Sequence, residues 1–174
     1  MPSRQIWAPA VFIAGLAVLA ACENPGGLST GGFRSDYLVA RQALETGNYD
    51  LAIRRYQSLM RNAGPVEPRL RLEYAHGLLR ANRFDDAARE AGAVFDLRLG
   101  TVSGAALAVR GTARHEAARA RLATGQRDAP TVALLYQAVE DLETFVREHP
   151  ELDADDMMAE RVRVATSELR ALGS

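Results

Sequence analysis

The chain has 174 residues, enough for one domain with a sizeable buried core. Its formal net charge of −1 excludes a general electrostatic attraction to nucleic acid. All 21 basic residues are Arg, and a single Cys excludes an internal disulfide.

The first expected element is a targeting segment. Arg4 and the amino terminus supply positive charge, Ile6 to Val18 is almost wholly apolar, and Leu19-Ala20-Ala21 leads through small residues to Cys22. These are the three regions of a secretory signal. A spanning helix needs about 20 apolar residues; this run is shorter and carries Pro9, so cleavage after residue 21 is expected over retention.

The order Leu19-Ala20-Ala21-Cys22 resembles the bacterial lipobox. That resemblance implies a diacylglycerol on the Cys22 thiol, cleavage before Cys22, and acylation of the new amine by a chain such as palmitate. Read from the residues alone, an ordinary secretory signal with an incidental Cys22 stays open. Each buried CH₂ contributes about 0.8 kcal/mol, and two or more chains anchor stably, so Cys22 is expected to be an anchor rather than a nucleophile. Position 23 is Glu, not the Asp that retains lipoproteins in the inner membrane of enteric bacteria. The resemblance therefore implies an outer-membrane protein facing the periplasm, with the inner membrane as the alternative. Residues 22–32 would comprise the lipidated Cys and a Gly-rich tether, in which about ten residues span roughly 16–19 Å.

From Ser35 onward no stretch alternates with period 2, and turn signals separate apolar patches of helical spacing; five or six helices and no sheet are expected. An internal repeat is present. GNYDLAIRRYQSL (47–59) aligns with NRFDDAAREAGAV (82–94) at an offset of 35, matching Gly47 to Asn82, Tyr49 to Phe84, Asp50 to Asp85 and Ala52 to Ala87. Upstream, Ala40 matches Ala75 and Leu44 matches Leu79. The expected unit is a helical hairpin. Gly47 or Asn82 ends the first helix in the left-handed conformation, the aromatic packs over the turn, and the Ala admits the second helix closely.

This pattern resembles the tetratricopeptide repeat (TPR), with Tyr56, Leu59 and the Gly64-Pro65 break continuing it in the first copy. The second copy departs from it, with Ala91 at an aromatic position and no Pro near Leu99. A weaker third unit spans 105–150: an Ala-rich helix over 105–123, then a helix from Pro130 to Glu148 in which Ala138, Leu142, Phe145 and Pro150 keep the spacing. Ala87 and Ala138 are 51 residues apart, so the first helix or its loop must be extended here. Asp153 caps a last helix, with Asp155 and Asp156 near its positive end. The resemblance thus implies an all-α, TPR-like right-handed array of antiparallel helix pairs over 33–174. Its repeats fall at about 33–66, 67–101 and 105–150, with a C-terminal capping helix over 153–172.

No catalytic motif emerges. His76, His115 and His149 are not paired at metal-ligand spacing, and HEAAR (115–119) has Arg119 where a zinc helix needs His, so a solvated helix face is expected at His115. The acids at 140, 141, 143 and 148 are expected to form a solvated face with Arg147. No enzyme, cofactor or metal is expected. Charge is segregated: Arg34 to Arg127 holds 16 Arg against 10 acids, and Glu140 to Glu160 holds 9 acids against one Arg.

In a TPR array the first helix of each pair lines a concave groove. The resemblance places Arg34, Tyr37, Arg41 and Leu44 there from the first copy, and Arg69, Leu72, His76 and Arg80 from the second. Arg110, Arg114 and Arg121 form one stripe on the next helix. One reading is a basic groove built on Tyr37, Arg41, His76, Arg80, Arg110 and Arg114 that takes an acidic peptide or C-terminal carboxylate of an envelope protein. The other is solvated Arg, or Arg paired within the chain to the acidic part. The resemblance to small TPR lipoproteins implies a scaffold or adaptor in envelope assembly, with pilus or secretion-system biogenesis (Tad/Flp pilus or pilotin type) preferred. Outer-membrane protein assembly, a cell-wall-associated factor and a self-assembling structural lipoprotein are the alternatives.

Overall fold

The computed structural model describes residues 30–173, and within them every regular element is helical. The expected signal segment and the expected lipidation site Cys22 lie outside the described residues. Seven α-helices follow one another: α1 Thr30–Glu45, α2 Tyr49–Met60, α3 Glu67–Arg80, α4 Phe84–Phe95, α5 Thr101–Ala123, α6 Ala129–Glu148 and α7 Met157–Ala171. That is one or two more than the five or six expected. Short 3-10 turns over Gly64–Val66 and Pro150–Leu152 join α2 to α3 and α6 to α7. Each helix packs on its neighbour in sequence, and α3, α5 and α7 also touch one another in succession. No described helix is long and apolar enough to cross a membrane.

The first two helix pairs share one plan. The boundaries of α2 and α4 are offset by 35 residues, and both pairs turn through three residues. Gly47 and Asn82 adopt left-handed φ of 80° and 59°. The next amide donates back to the fifth carbonyl before it, Asn48 to Ala43 at 2.8 Å and Arg83 to Leu78 at 2.9 Å. This satisfies a carbonyl that the helix end would otherwise leave unpaired. The hydroxyl end of Tyr49 closes over Gly47, 3.8 Å from where a Cβ would stand. Ala52 and Ala87 are fully buried, as the close approach of two helices requires. A third copy ends α5, with Gly125 at φ 80° and Gln126 donating to Arg121 at 3.0 Å.

The third pair is longer in both members. α5 has 23 residues against 14 in α3, and α6 has 20 against 12 in α4. The extra length expected in the first helix or its loop is therefore shared by both helices. They lie close because α5 offers Gly111 to α6: a Cβ there would stand 2.7 Å from Leu142 Cγ. Gly104 faces His149 in the same way, at 2.6 Å.

Two other expectations are corrected. Thr30, Gly31 and Gly32, assigned to the tether from composition, are the first residues of α1. The cap at Asp153 acts from a distance: α7 begins at Met157, and the Asp153 carboxylate reaches forward to accept from the amides of Met158 (2.9 Å) and Ala159 (3.0 Å). The carboxylate thereby meets two of the four unpaired amides of the α7 start.

Candidate functional site

A cleft of about 610 Å³ opens between α1, α3 and α5. Arg41 and Leu44 enter it from α1, and Arg69, Leu72, His76 and Arg80 from α3. Helical spacing explains the α3 set, since positions three, four and seven apart share one face. A second cleft of about 590 Å³ adjoins it along α5 and shares His76, Arg80 and Val109. Tyr49, Leu79, Phe84, Met157 and Met158 give this second half its apolar walls. Together the two form one groove along the first helices of the pairs.

Three of the six expected groove residues, Arg41, His76 and Arg80, line the first cleft. Tyr37 instead packs half-buried against the core, edge-on to Tyr56 with ring centroids 6.4 Å apart. Arg110 and Arg114 are turned away from the groove. Both reach Asp141 of α6: Arg110 Nε and Nη2 donate at 2.9 and 2.6 Å, and Arg114 Nη1 at 2.5 Å. Arg110 also stacks over the Phe95 ring, 4.5 Å from its centroid. The stripe expected on α5 is thus tethered within the chain by a member of its own acidic run. The third member, Arg121, binds Thr131 and Asp128 at the α5–α6 turn.

Asp141 is accordingly no part of a solvated acidic face; it is 3% exposed. His115 is also corrected. It is 1% exposed, held between Glu168 and Arg161 of α7. In both cases the sequence shows a polar residue on a helix, while burial is decided by which helix lies opposite.

The groove is less basic than its Arg count suggests. Arg41 is engaged by Glu45 (2.9 Å) and Glu73 (3.2 Å), which hold its guanidinium firmly charged. Arg80 donates to the Tyr49 hydroxyl at 3.1 Å and lies against that ring. Among the described residues, Arg69 and Arg80 have no carboxylate partner. His76 is exposed on the groove floor yet enclosed by the surrounding helices. Its pKa is lowered chiefly by that lost hydration and further by Arg80 and Arg41, against the pull of Glu73. The shift favours the uncharged ring, a donor and acceptor between two cations.

What the sequence reading missed is the apolar floor. Val102, Ala105 and Val109 of α5 line the first cleft at three- and four-residue spacing, and Leu152, 42% exposed, closes its edge. That spacing is legible in the sequence, on a different face of α5 from the Arg stripe. Met157, 64% exposed, belongs to the same surface through the second cleft. No group of three His, Cys, Asp or Glu among the described residues is placed to hold a metal ion.

No protein-family model, curated protein or solved structure matches the chain.

Proposed function

We propose that this chain is a lipid-anchored, periplasm-facing scaffold of TPR type that holds a segment of a partner protein in its groove, without catalysis. The observation that carries the reading is the groove itself, with an apolar floor from α5 and two cations from α3 that have no carboxylate partner among the described residues. Support for the repeat assignment comes from the two helix pairs, whose second helices share boundaries, and whose turns share conformation and closing hydrogen bond, at an offset of 35. The partner segment fits when apolar side chains sit against Val102, Val109 and Met157 while a carboxylate meets Arg69 or Arg80. Apolar contact supplies most of the affinity, and the Arg pair fixes register. Cys22 would carry the lipid, and Glu23 favours the outer membrane. A role in pilus or secretion-system assembly rests on resemblance alone, because fold does not fix function.

The test is a pull-down of the tagged, lipidated protein from detergent-solubilised envelopes, read by mass spectrometry. It is run beside a double variant, Arg69→Glu with Arg80→Glu, and a Cys22→Ser variant. The reading expects an envelope-assembly subunit with the parent protein, its loss from the double variant, and release of Cys22→Ser from the membrane fraction. Equal recovery of the subunit by a folded double variant would sink the groove. Recovery of nothing but the chain itself would move the reading to a self-assembling scaffold.

A further inference from the structure

His115 sits where α7 meets α5, and its two ring nitrogens have different partners. Nε2 lies 2.8 Å from Glu168 Oε2, and Nδ1 lies 3.3 Å from Arg161 Nη1. Arg161 can only donate, so Nδ1 accepts and the proton is on Nε2, donated to Glu168. Only the neutral ring in this tautomer makes both bonds. A second proton would go onto Nδ1 and face the Arg161 guanidinium, donor against donor and charge against charge.

The surrounding groups are all engaged. On α5, Glu116 accepts from Arg161 at 2.6 Å, and Arg119 spans Glu116 (3.7 Å) and Glu168 (3.4 Å). From α6, Asp141 lies against Gly111, one turn before His115, and is taken by Arg110 and Arg114. A wall of the groove depends on this junction, since Glu116, Arg161, Met157 and Met158 all line the second cleft.

We propose that His115 is a proton-operated latch: its neutral ring helps Glu116 hold Arg161 and the start of α7, and its protonation withdraws that bond and sets a second cation against Arg161, loosening the Met157–Met158 wall of the second cleft. Burial is the main influence on the ring and lowers its pKa; Glu168 opposes this and Arg161 adds to it. A lowered folded-state pKa means that the latch is fully closed above the ordinary value of 6.5, weakens progressively as pH falls from there towards the folded value, and changes no further below it. Glu168 keeps its partner in both states, so the loosening begins at the Arg161 end of α7. The latch does not depend on what the groove binds, because its readout is α7 itself.

The experiment is hydrogen exchange of the full chain in detergent micelles, followed across residues 157–165 and corrected for the intrinsic pH dependence of exchange. Opening is expected to rise by up to about tenfold per pH unit below 6.5, levelling once the folded-state pKa is passed. His115→Gln should remove this slope. A His76→Gln/His149→Gln variant should keep it, and this arm stands even where His115→Gln fails to fold. Side-chain nitrogen resonances at pH 7.5 should show the Nε2–H tautomer at His115. The latch is overturned by an Nδ1–H tautomer or a charged ring at that pH, by an unchanged slope in folded His115→Gln, or by loss of the slope in the double variant.

Discussion

Replacement of Asp141 by Ala tests the packing logic of the third helix pair most directly. The carboxylate accepts three hydrogen bonds from two guanidinium groups and is 3% exposed. The Arg110 and Arg114 side chains are 15% and 23% exposed, so neither can recover full hydration without leaving the α5–α6 interface. Removing one partner of a buried pair typically destabilises by about 3–5 kcal/mol, because the surviving charge stays buried without compensation. Two cations are orphaned here, but both retain some water, which places Asp141→Ala near the lower end, at about 3 kcal/mol. For a domain of this size that corresponds to a fall in Tm of about 6–12 °C. Urea unfolding followed by far-ultraviolet circular dichroism measures it, since the single Trp, Trp7, lies far from α5 and α6 in the sequence. The triple replacement Arg110→Met, Arg114→Leu, Asp141→Leu should recover most of the loss, because an apolar interface of similar volume needs no compensation. A cost below about 1 kcal/mol for Asp141→Ala would refute the argument and mean that α5 and α6 are held by their apolar contacts alone.

Two further substitutions probe close approach and capping. Gly111→Ala gains about 1 kcal/mol of helix propensity but drives a Cβ to 2.7 Å from Leu142 Cγ, an overpacking typically worth about 1–3 kcal/mol. Net destabilisation of about 1 kcal/mol is expected. Gly92→Ala, whose Cβ would meet only the flexible Arg110 chain at 3.6 Å, should instead stabilise by about 0.5–1 kcal/mol; urea midpoints of both variants check the opposite signs. Asp153→Ala frees the Met158 and Ala159 amides and should lower stability by about 1 kcal/mol, with faster hydrogen exchange confined to the first turn of α7.

The local grammar of this protein is written in its sequence. Gly47 and Asn82 mark helix ends because few other side chains accept a left-handed backbone, and Ala52 and Ala87 mark close approaches because their side chains are small. Such signals act within a few residues, so they survive without knowledge of the rest of the chain. Arg41, His76 and Arg80 were found in the groove for the same reason: a repeat of 35 residues carries one helix face onto the next. The fates of Arg110, Arg114, Asp141 and His115 were decided elsewhere. Arg110 and Arg114 turn from the groove because Asp141, some 30 residues on, waits across α5. His115 is buried because Glu168 and Arg161 arrive on the last helix. Helical periodicity says which residues share a face, but only the packing of distant helices says what that face meets, and a charge is solvated, paired or latched according to the answer.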